Sequence, residues 1–288
     1  MLAFYRKISA MTQYQYDLHT HSTASDGALS PTELVARAAR QGVTHLALTD
    51  HDGTEGIEEA RQAAAESDIE LIPGVEVSVS WSGGTVHIVG LQLDINNPEL
   101  QQGLSGLRDY RRQRARQIAD KLDKAGIPGA LEGASQYASE TMLGRVHFAR
   151  FLVDRGYASD MKDVFKRFLV KNKPGYVSGH WASLEQALSW INAAGGQAVV
   201  AHPARYKMTN SKRRRLLREF TAMGGVGIEV SSGNQHPEEV RVMARLAEEF
   251  DLLASCGSDF HSPDNAWIEL GKTVTLPPFV TPIWTQWH

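Results

Sequence analysis

The chain has 288 residues, with 30 Lys and Arg against 33 Asp and Glu and a formal charge of -3 at pH 7; this excludes a strongly basic polyanion-binding protein and confines any nucleic-acid contact to a local patch. Its 42% hydrophobic and 22% charged residues are ordinary globular composition, unlike that of a disordered or collagen-like chain. A single cysteine, Cys256, excludes an intrachain disulfide and any multi-thiolate zinc or iron-sulfur site, and suits a reducing cytoplasm.

Residues 1–13 read as an irregular start, because the apolar run in MLAFYRKISAM is too short for a secretory signal and polar residues follow it directly. No window approaches the roughly 20 apolar residues that span a bilayer. The first clear unit is LSPTELVARAARQGVTHLALTDHD, in which Ser30 reads as an N-cap, Pro31 as the first helical residue and Glu33 as the other half of a capping box. Gly42 ends that helix and a β-branched, apolar strand follows. The same order of helix, glycine and strand returns in SLEQALSWINAAGGQAVVAHP, where Ser183 and Gln186 form the box, and in LLREFTAMGGVGIEVSS. It returns again in PEEVRVMARLAEEFDLLASCGSD, with Phe250 and Asp251 in place of the glycines.

Strands predicted in YDLH, THLALT, ELIPGVEV, VHIVGL, AVVA, GIEV and LLASC alternate with helices at the spacing of parallel βα units. All seven are expected to run parallel. They imply an α/β fold: a distorted seven-stranded (β/α)7 barrel with an inserted helical cap subdomain, or an open doubly wound sheet. TVTL near residue 274 has no assigned register. The stretch between His87 and His202 is far longer than one βα connection. Within it, Leu104, Leu107, Ile118 and Leu122 line one face of a helix that Gly126 and Pro128 terminate. Further helical stretches follow in TMLGRVHFARFLVDRG and DMKDVFKRFLV. The expected division is a barrel of residues 14–97 and 181–288 around a helical cap of residues 98–180.

Of eleven histidines, His19, His21, His51, His202 and His261 fall at or just beyond strand ends, and His87 falls within a strand. His19 and His21, in DLHTHS, are spaced i, i+2, which in extended chain points both imidazoles to one side, about 7 Å apart at the backbone. Asp259 and His261, in SDFH, repeat the pattern. Glu76 lies in PGVEV, Asp26 in the loop SDG, and His51 closes LALTDHD. The C-terminal strand ends of a parallel barrel form its active-site face, so these nine side chains converge on one mouth. Neutral imidazole and carboxylate are the ligand set of Zn, Mn or Fe, and the absence of thiolates argues against a closed structural zinc site. Nine donors are too many for one ion and suit two or three, with one carboxylate bridging.

Taken together, DLHTHS, TDH, the Glu of PGVEV, the strand-four His, AHP and SDFH resemble the PHP (polymerase and histidinol phosphatase) family of trinuclear metal-dependent phosphoesterases, over most of the chain. The resemblance implies one metal held by His19, His21, Glu76 and Asp259, a second by Glu76, His87 and His202, and a third by Asp26, His51 and His261. Many family members carry His where this chain has Asp26. That departure hardens the third site and makes Mn2+ the first choice over Zn2+ or Fe, with two to three ions per chain. Amidohydrolases also open with a His-x-His pair, but there a carboxylated lysine commonly bridges two metals. Here the bridging position falls to Glu76, and no lysine lies at a strand end before the insertion. Three divalent ions against three carboxylates leave a charge of about +3, which suits a phosphate better than a neutral amide.

Arg205, in AHPARY, stands three residues after a ligand position, where a guanidinium reaches phosphate oxygens as a bidentate donor or forms a surface salt bridge. GRVHFAR offers Arg145 and His147, and KNKPGY offers Lys173, as a second anion pocket under a closed cap. With Asp26 and these segments the chain resembles the TrpH-type branch of the family. That resemblance implies removal of the 3′-phosphate from nucleoside 3′,5′-bisphosphates, leaving the nucleoside 5′-monophosphate. Its alternative is 5′-to-3′ exoribonuclease action on short 5′-phosphorylated RNA. A histidinol-phosphatase-like activity and a non-enzymatic PHP module are the further readings. The expected mechanism is in-line attack by a hydroxide bridging the two ions that share Glu76. Asp259, His261 and His202 are its expected catalytic residues: Asp259 orients or deprotonates that water and His261 holds a non-bridging oxygen. The expected partner is a small nucleotide or short RNA, with no membrane and no obligate protein partner, in a cytoplasmic monomer.

Arg108, Arg111, Arg112, Arg114 and Arg116 on one helix, and the run from Lys212 to Arg215, read as solvated helix faces, either of which could instead guide RNA. Asp50 and Asp52 read as turn or supporting residues around His51. His45, Cys256 and Phe148 read as core. His180, His236 and His288 suggest no role.

Overall fold

The computed structural model describes residues 14–138 and 142–287, so the start expected at residues 1–13, and His288, lie outside the described residues. β1 (Tyr16–Asp17) leads to α1 (Pro31–Arg40), where the Ser30 hydroxyl accepts the Glu33 N–H and the Glu33 carboxylate accepts the Ser30 N–H. Gly42, at φ 81°, turns the chain into β2 (His45–Leu48). Then come α2 (Ile57–Ala65), β3 (Glu70–Trp81) and β4 (Gly84–Leu91). The insertion carries α3 (Pro98–Lys124), α4 (Ala130–Ser135), α5 (Arg145–Asp154) and α6 (Met161–Val164), which runs on as a π-helical turn to Leu169. α7 (Leu184–Ala193), opened by the Ser183 and Gln186 box, feeds β5 (Gln197–Val200). α8 (Asn210–Ala222) precedes β6 (Gly227–Ser232), and α9 (Pro237–Glu249) precedes β7 (Leu253–Gly257). Asp251 takes the left-handed conformation at φ 51°, the work of glycine in the other units.

The seven strands pair in sequence order, β1 through β7. The sheet edges then meet: Leu18 donates its N–H to Cys256 O and His21 its N–H to Phe260 O, each at 3.0 Å. The result is a nearly closed barrel, which settles the choice against an open doubly wound sheet. The expectation of seven parallel strands needs one correction, because β4 runs antiparallel to both β3 and β5. Only Ser82 and Gly83, at φ 48° and 77°, separate β3 from β4. Two residues make a hairpin turn, whereas a parallel return needs a crossover of about a dozen or more. TVTL near residue 274 stays outside the sheet in irregular chain.

Alternation along the strands sorts the two barrel faces. Leu18, Ala47, Ile72, Val89, Val199 and Cys256 pack together in one buried cluster contributed by most of the strands, the barrel interior. Val75, Val77, Val200, Ile228 and Val230 face outward into the larger cluster under the helices. Glu76 and Glu229 occupy the alternate positions on β3 and β6, each only 1% exposed. Such burial of two carboxylates is costly unless partners surround them. Leu100, Leu104 and Leu107 of α3 belong to the barrel's helical cluster, while a separate apolar cluster runs from Ala115 to Val177. Among the described residues, no helix is long and apolar enough to cross a membrane.

Candidate metal centre

The reversal of β4 explains how His87 reaches the mouth, since the start of β4 lies beside the end of β3, with His87 opposite Ser78. The barrel brings together all nine predicted ligand positions. His19 Nε2 and His21 Nε2 stand 3.1 Å apart, and Asp259 Oδ1 lies 3.5 and 3.2 Å from them. The Glu76 carboxylate is ringed by five imidazoles: His51 Nδ1 at 2.8 Å, His87 Nδ1 and His202 Nε2 at 2.9 Å, and the Nε2 atoms of His19 and His21 at 3.4 Å. Asp26 Oδ1 lies 3.3 Å from His261 Nε2, and its Oδ2 lies 3.9 Å from His51 Nε2. Among the described residues, three groups gather donor atoms within 4.8 Å: His21, Asp26, His51 and His261; His19, His21 and Glu76; and His51, Glu76 and His87.

This donor set fits divalent cations. Ligands about 2.0–2.2 Å from a common ion stand about 3–3.5 Å from one another, and His19, His21, Glu76 and Asp259 are spaced at 3.1–3.5 Å. Asp26 Oδ1 and His51 Nδ1 are buried with other potential ligands as their neighbours, His261 Nε2 at 3.3 Å and Glu76 Oε2 at 2.8 Å. Charge points the same way. Burial opposes a proton on His19, yet Glu229, Glu76 and Asp259 raise its pKa well above the ordinary value. Against burial, Glu76 and Asp26 raise that of His51, and Asp26 and Asp259 carry that of His261 up to about 10. These rings take up protons where the carboxylates call for cations. Burial, with His261 next, instead drives His21 down to about 3. Burial would raise Glu76, Asp26 and Asp259, but the surrounding imidazoles hold all three well below the usual carboxylate range.

Supporting groups fix these side chains. His202 and Asp259 hold the left-handed backbone at φ 31° and 54°, a conformation that costs about 1–3 kcal/mol in a non-glycine residue. Each is tied in place: Asp259 N–H donates to His19 O at 2.8 Å and His202 N–H to Glu229 Oε2 at 2.5 Å. Glu229 also meets His19 Nδ1 at 2.6 Å through its other oxygen. The sequence reading passed over Glu229, although a carboxylate centred in the apolar strand GIEV is its signal. Tyr206, also missed, accepts the His87 N–H at 2.8 Å. Asp50 accepts the Ser22 N–H at 2.8 Å and the hydroxyls of Ser22 and Ser25, and burial pushes its pKa up to about 6. Asp52 accepts the Ser78 N–H at 2.6 Å and the Arg111 Nε–H at 2.7 Å.

A cavity of about 230 Å³ abuts the cluster and is lined by Asp26, His51, His87, Arg111, Arg114, Arg145 and His147, among others. Arg145 and His147 therefore fall where the sequence reading puts them. Lys173 does not: it is exposed and absent from the lining, because the turn at residues 170–176 carries Tyr176 inward instead. Arg111 and Arg114 depart from the reading of a solvated helix face. Arg114 is 6% exposed and Arg111 bonds Ser78 Oγ at 2.8 Å, and the later segment around Tyr176 and Val177 covers this face of α3. Trp181 stacks against both, its ring 4.8 and 5.5 Å from their guanidinium carbons. Burial and then Arg145 lower the Arg114 pKa to about 10, and burial and then Arg111 lower that of Arg145. His147 Nδ1 accepts the Gly144 N–H at 2.9 Å, which makes the buried Nε2 the ring's donor, beside the Ser25 backbone. Lys212 and Arg215 also have structural partners, gripping the β3–β4 hairpin at Ser82 and covering the Trp81 ring. Arg205 pairs with Asp259 at the rim.

A model of the PHP domain matches residues 17–254. The chain is 50% identical over 271 residues to a 3′,5′-nucleoside bisphosphate phosphatase of Chromobacterium violaceum, covering 94% of this chain and 95% of that one. It is 49% identical over 272 residues to a 5′-3′ exoribonuclease of Haemophilus influenzae, covering 94% of this chain and 98% of that one. A solved structure of a Chromobacterium violaceum protein, described as an amidohydrolase with bound sulfate and no metal, superposes with a TM-score of 0.90 at 50% identity, covering 93% of this chain and 94% of that one.

Proposed function

The chain belongs to the PHP domain family, and we propose that it is a metal-dependent phosphatase releasing phosphate from nucleoside 3′,5′-bisphosphates to leave nucleoside 5′-monophosphates. The observation that carries this reading is the juxtaposition of a donor cluster for cations with a cavity holding Arg111, Arg114 and Arg145. Such a pair of adjoining sites takes two phosphates of one small molecule. Sulfate, a tetrahedral dianion like phosphate, is bound in the related structure at 50% identity. Of the residues 98–180 that we assign to the cap, Arg111, Arg114, Arg145 and His147 line the second anion pocket, while the barrel of residues 14–97 and 181–288 presents the cluster.

Two to three divalent ions, Mn2+ first with Zn2+ or Fe as alternatives, supply Lewis acidity and lower the pKa of water toward neutrality when bound. His19, His21, Glu76 and Asp259 hold one ion, Glu76, His87 and His202 a second, and Asp26, His51 and His261 a third. Asp259 accepts the proton of the attacking water. His202 and His261 flank the phosphoryl group, and Arg205, next to Asp259, donates to a phosphoryl oxygen. Arg111, Arg114 and Arg145 bind the other phosphate, with the His147 Nε2–H as a further donor. The single buried thiol of Cys256 accords with a reducing, cytoplasmic setting.

The second reading is 5′-to-3′ exoribonuclease action, favoured by the exoribonuclease relative at 49% identity beside the phosphatase at 50%. Both reactions put one phosphate at the cluster and another in the arginine pocket. Phosphate and nucleotide release from adenosine 3′,5′-bisphosphate, histidinol phosphate and 5′-phosphorylated oligoribonucleotides, with Mn2+, tests the assignment. Fastest turnover of histidinol phosphate would refute it.

A further inference from the structure

Opposite the arginine cavity lies a second recess, of similar volume, that the phosphatase reading leaves unused. The cavity is walled by residues following β1 and β2, by β3 and β4, and by the insertion. The recess lies over the other sector of the rim. It has a volume of about 240 Å³ and is lined by Ala204 and Arg205 after β5, by Ser232, Asn234 and Gln235 at the end of β6, by Glu239 of α9, whose carboxylate accepts the His236 N–H, and by Ile268 after β7. Arg205 joins the two regions. Its guanidinium pairs with Asp259 of the metal cluster and rests against Gly233, where an added Cβ would stand 2.6 Å from Nη2. Glycine at φ 53° is what makes room for it.

The recess contains unspent hydrogen-bonding capacity. Ser232 is 5% exposed and its Oγ has no partner among the described residues, nor has the buried Gln235 Nε2. Gln235 Oε1 already accepts the Ser232 N–H at 2.9 Å, which fixes the amide orientation and leaves the NH2 free to donate into the recess. An unpaired buried polar group costs about 1–3 kcal/mol, so two side by side mark a place for a polar ligand. Asn234 and Gln235 also wall a broader groove of about 860 Å³, whose lining includes Trp267 and Lys272. Trp267 is 79% exposed, a flat ring open to stacking.

We propose that this track binds the part of an RNA chain lying 3′ of the scissile phosphate, with the first ribose or base edge against Ser232 and Gln235 and a following base on Trp267. The order of groups along it, guanidinium, then hydroxyl and amide, then ring, is the order phosphate, sugar or base edge, base of a nucleotide chain. The recess is smaller than the roughly 300 Å³ at which whole small-molecule pockets begin, so it takes one base or ribose. The proposal rests on the phosphoester reading above and concerns its exoribonuclease form. A bisphosphate ends at the cluster and never reaches the track.

The test compares wild type, Trp267→Ala and Gln235→Glu on adenosine 3′,5′-bisphosphate and on a 5′-phosphorylated pentaribonucleotide. Stacking on one aromatic ring changes affinity by about tenfold or more. Each substitution should lower kcat/KM on the pentaribonucleotide by about that factor and leave bisphosphate hydrolysis within about twofold. Gln235→Glu keeps the acceptor for Ser232 while replacing the free NH2 by a negative oxygen. Equal losses on both substrates, or none on the RNA, overturn the track, as does a wild type that hydrolyses the bisphosphate and leaves RNA intact. Hydrolysis of neither substrate refutes the phosphoester reading instead. In that event, anisotropy of the 3′-labelled pentaribonucleotide in EDTA decides the track by itself, and a Kd unmoved by both substitutions overturns it.

Discussion

Glu229 bridges two ligand positions from a third strand: one carboxylate oxygen stands 2.6 Å from His19 Nδ1 and the other accepts the His202 backbone N–H at 2.5 Å. The first contact places the Nδ1 proton toward Glu229 and turns the Nε2 lone pair to the cluster. The second secures a backbone held at φ 31°. Removal of such an outer carboxylate typically costs 10–100-fold in metal affinity. Glu229→Gln should therefore raise the Mn2+ concentration needed for half-maximal activity by about 10–100-fold, with most of kcat returning at saturating metal. Metal content after equilibrium dialysis is the independent measure. Unchanged content with lowered kcat would show that Glu229 acts otherwise.

Glu76 lies within 3.4 Å of five imidazole nitrogens, so loss of its charge should disturb the whole cluster. Ions that bind only the folded chain stabilise it by about 2.7 kcal/mol at a hundredfold excess over Kd, roughly 5–10 °C in Tm for a chain of this size. Adding Mn2+ to chelator-treated protein should raise Tm by that amount, and chelation should reverse it. In Glu76→Gln the shift should fall below half, with kcat down by several orders of magnitude. Differential scanning calorimetry reads the first and phosphate release the second. An undiminished shift in the variant would move the ions elsewhere.

Repeated helix, glycine and strand units made the barrel legible, because capping boxes at Ser30 and Ser183 and a left-handed residue at Gly42 or Asp251 are local signals that the fold obeys. The direction of β4 was written just as locally, in the two residues Ser82 and Gly83, but the repeating parallel pattern obscured it. Histidines at strand ends were legible because the barrel mouth collects them. The roles of Arg111 and Arg114 were not, since periodicity cannot tell a face turned to water from one covered by the distant segment around Tyr176 and Val177. Lys173 erred for the same reason in reverse: one turn decides which of two nearby residues points inward.

Arg145 lines the cavity beside Arg111 and Arg114 with its guanidinium 5.7 Å from the Phe165 ring. A charge-assisted hydrogen bond to phosphate is worth about 1.5–3 kcal/mol, or about 10–150-fold. Arg145→Ala should raise KM for a nucleoside 3′,5′-bisphosphate within that range while changing kcat by less than about threefold. For a nucleoside 3′-monophosphate, which leaves the second pocket empty, the substitution should have little effect. Steady-state kinetics on both substrates checks this, and an equal change on the two would remove Arg145 from the pocket.

His147 carries the clearest pH dependence outside the cluster. Burial lowers its pKa to about 4, below the ordinary imidazole value of about 6.5. Between those values the unfolded chain binds the proton that the folded chain refuses, so stability falls as pH drops through about 6.5 and the loss is complete below about 4. The full difference is on the order of 3 kcal/mol. Above pH about 7 both states are neutral and this contribution is flat. A glutamine at this position cannot take up the proton, and its side-chain oxygen can still accept the Gly144 N–H. Urea unfolding from pH 7.5 to 4.5 should therefore show wild type losing more stability than His147→Gln, with the two curves parallel above neutrality. Coincident curves across the acid range would mean that the buried imidazole charges freely in the folded protein. A phosphate in the cavity should oppose the loss, because an anion beside Nε2 favours the protonated ring.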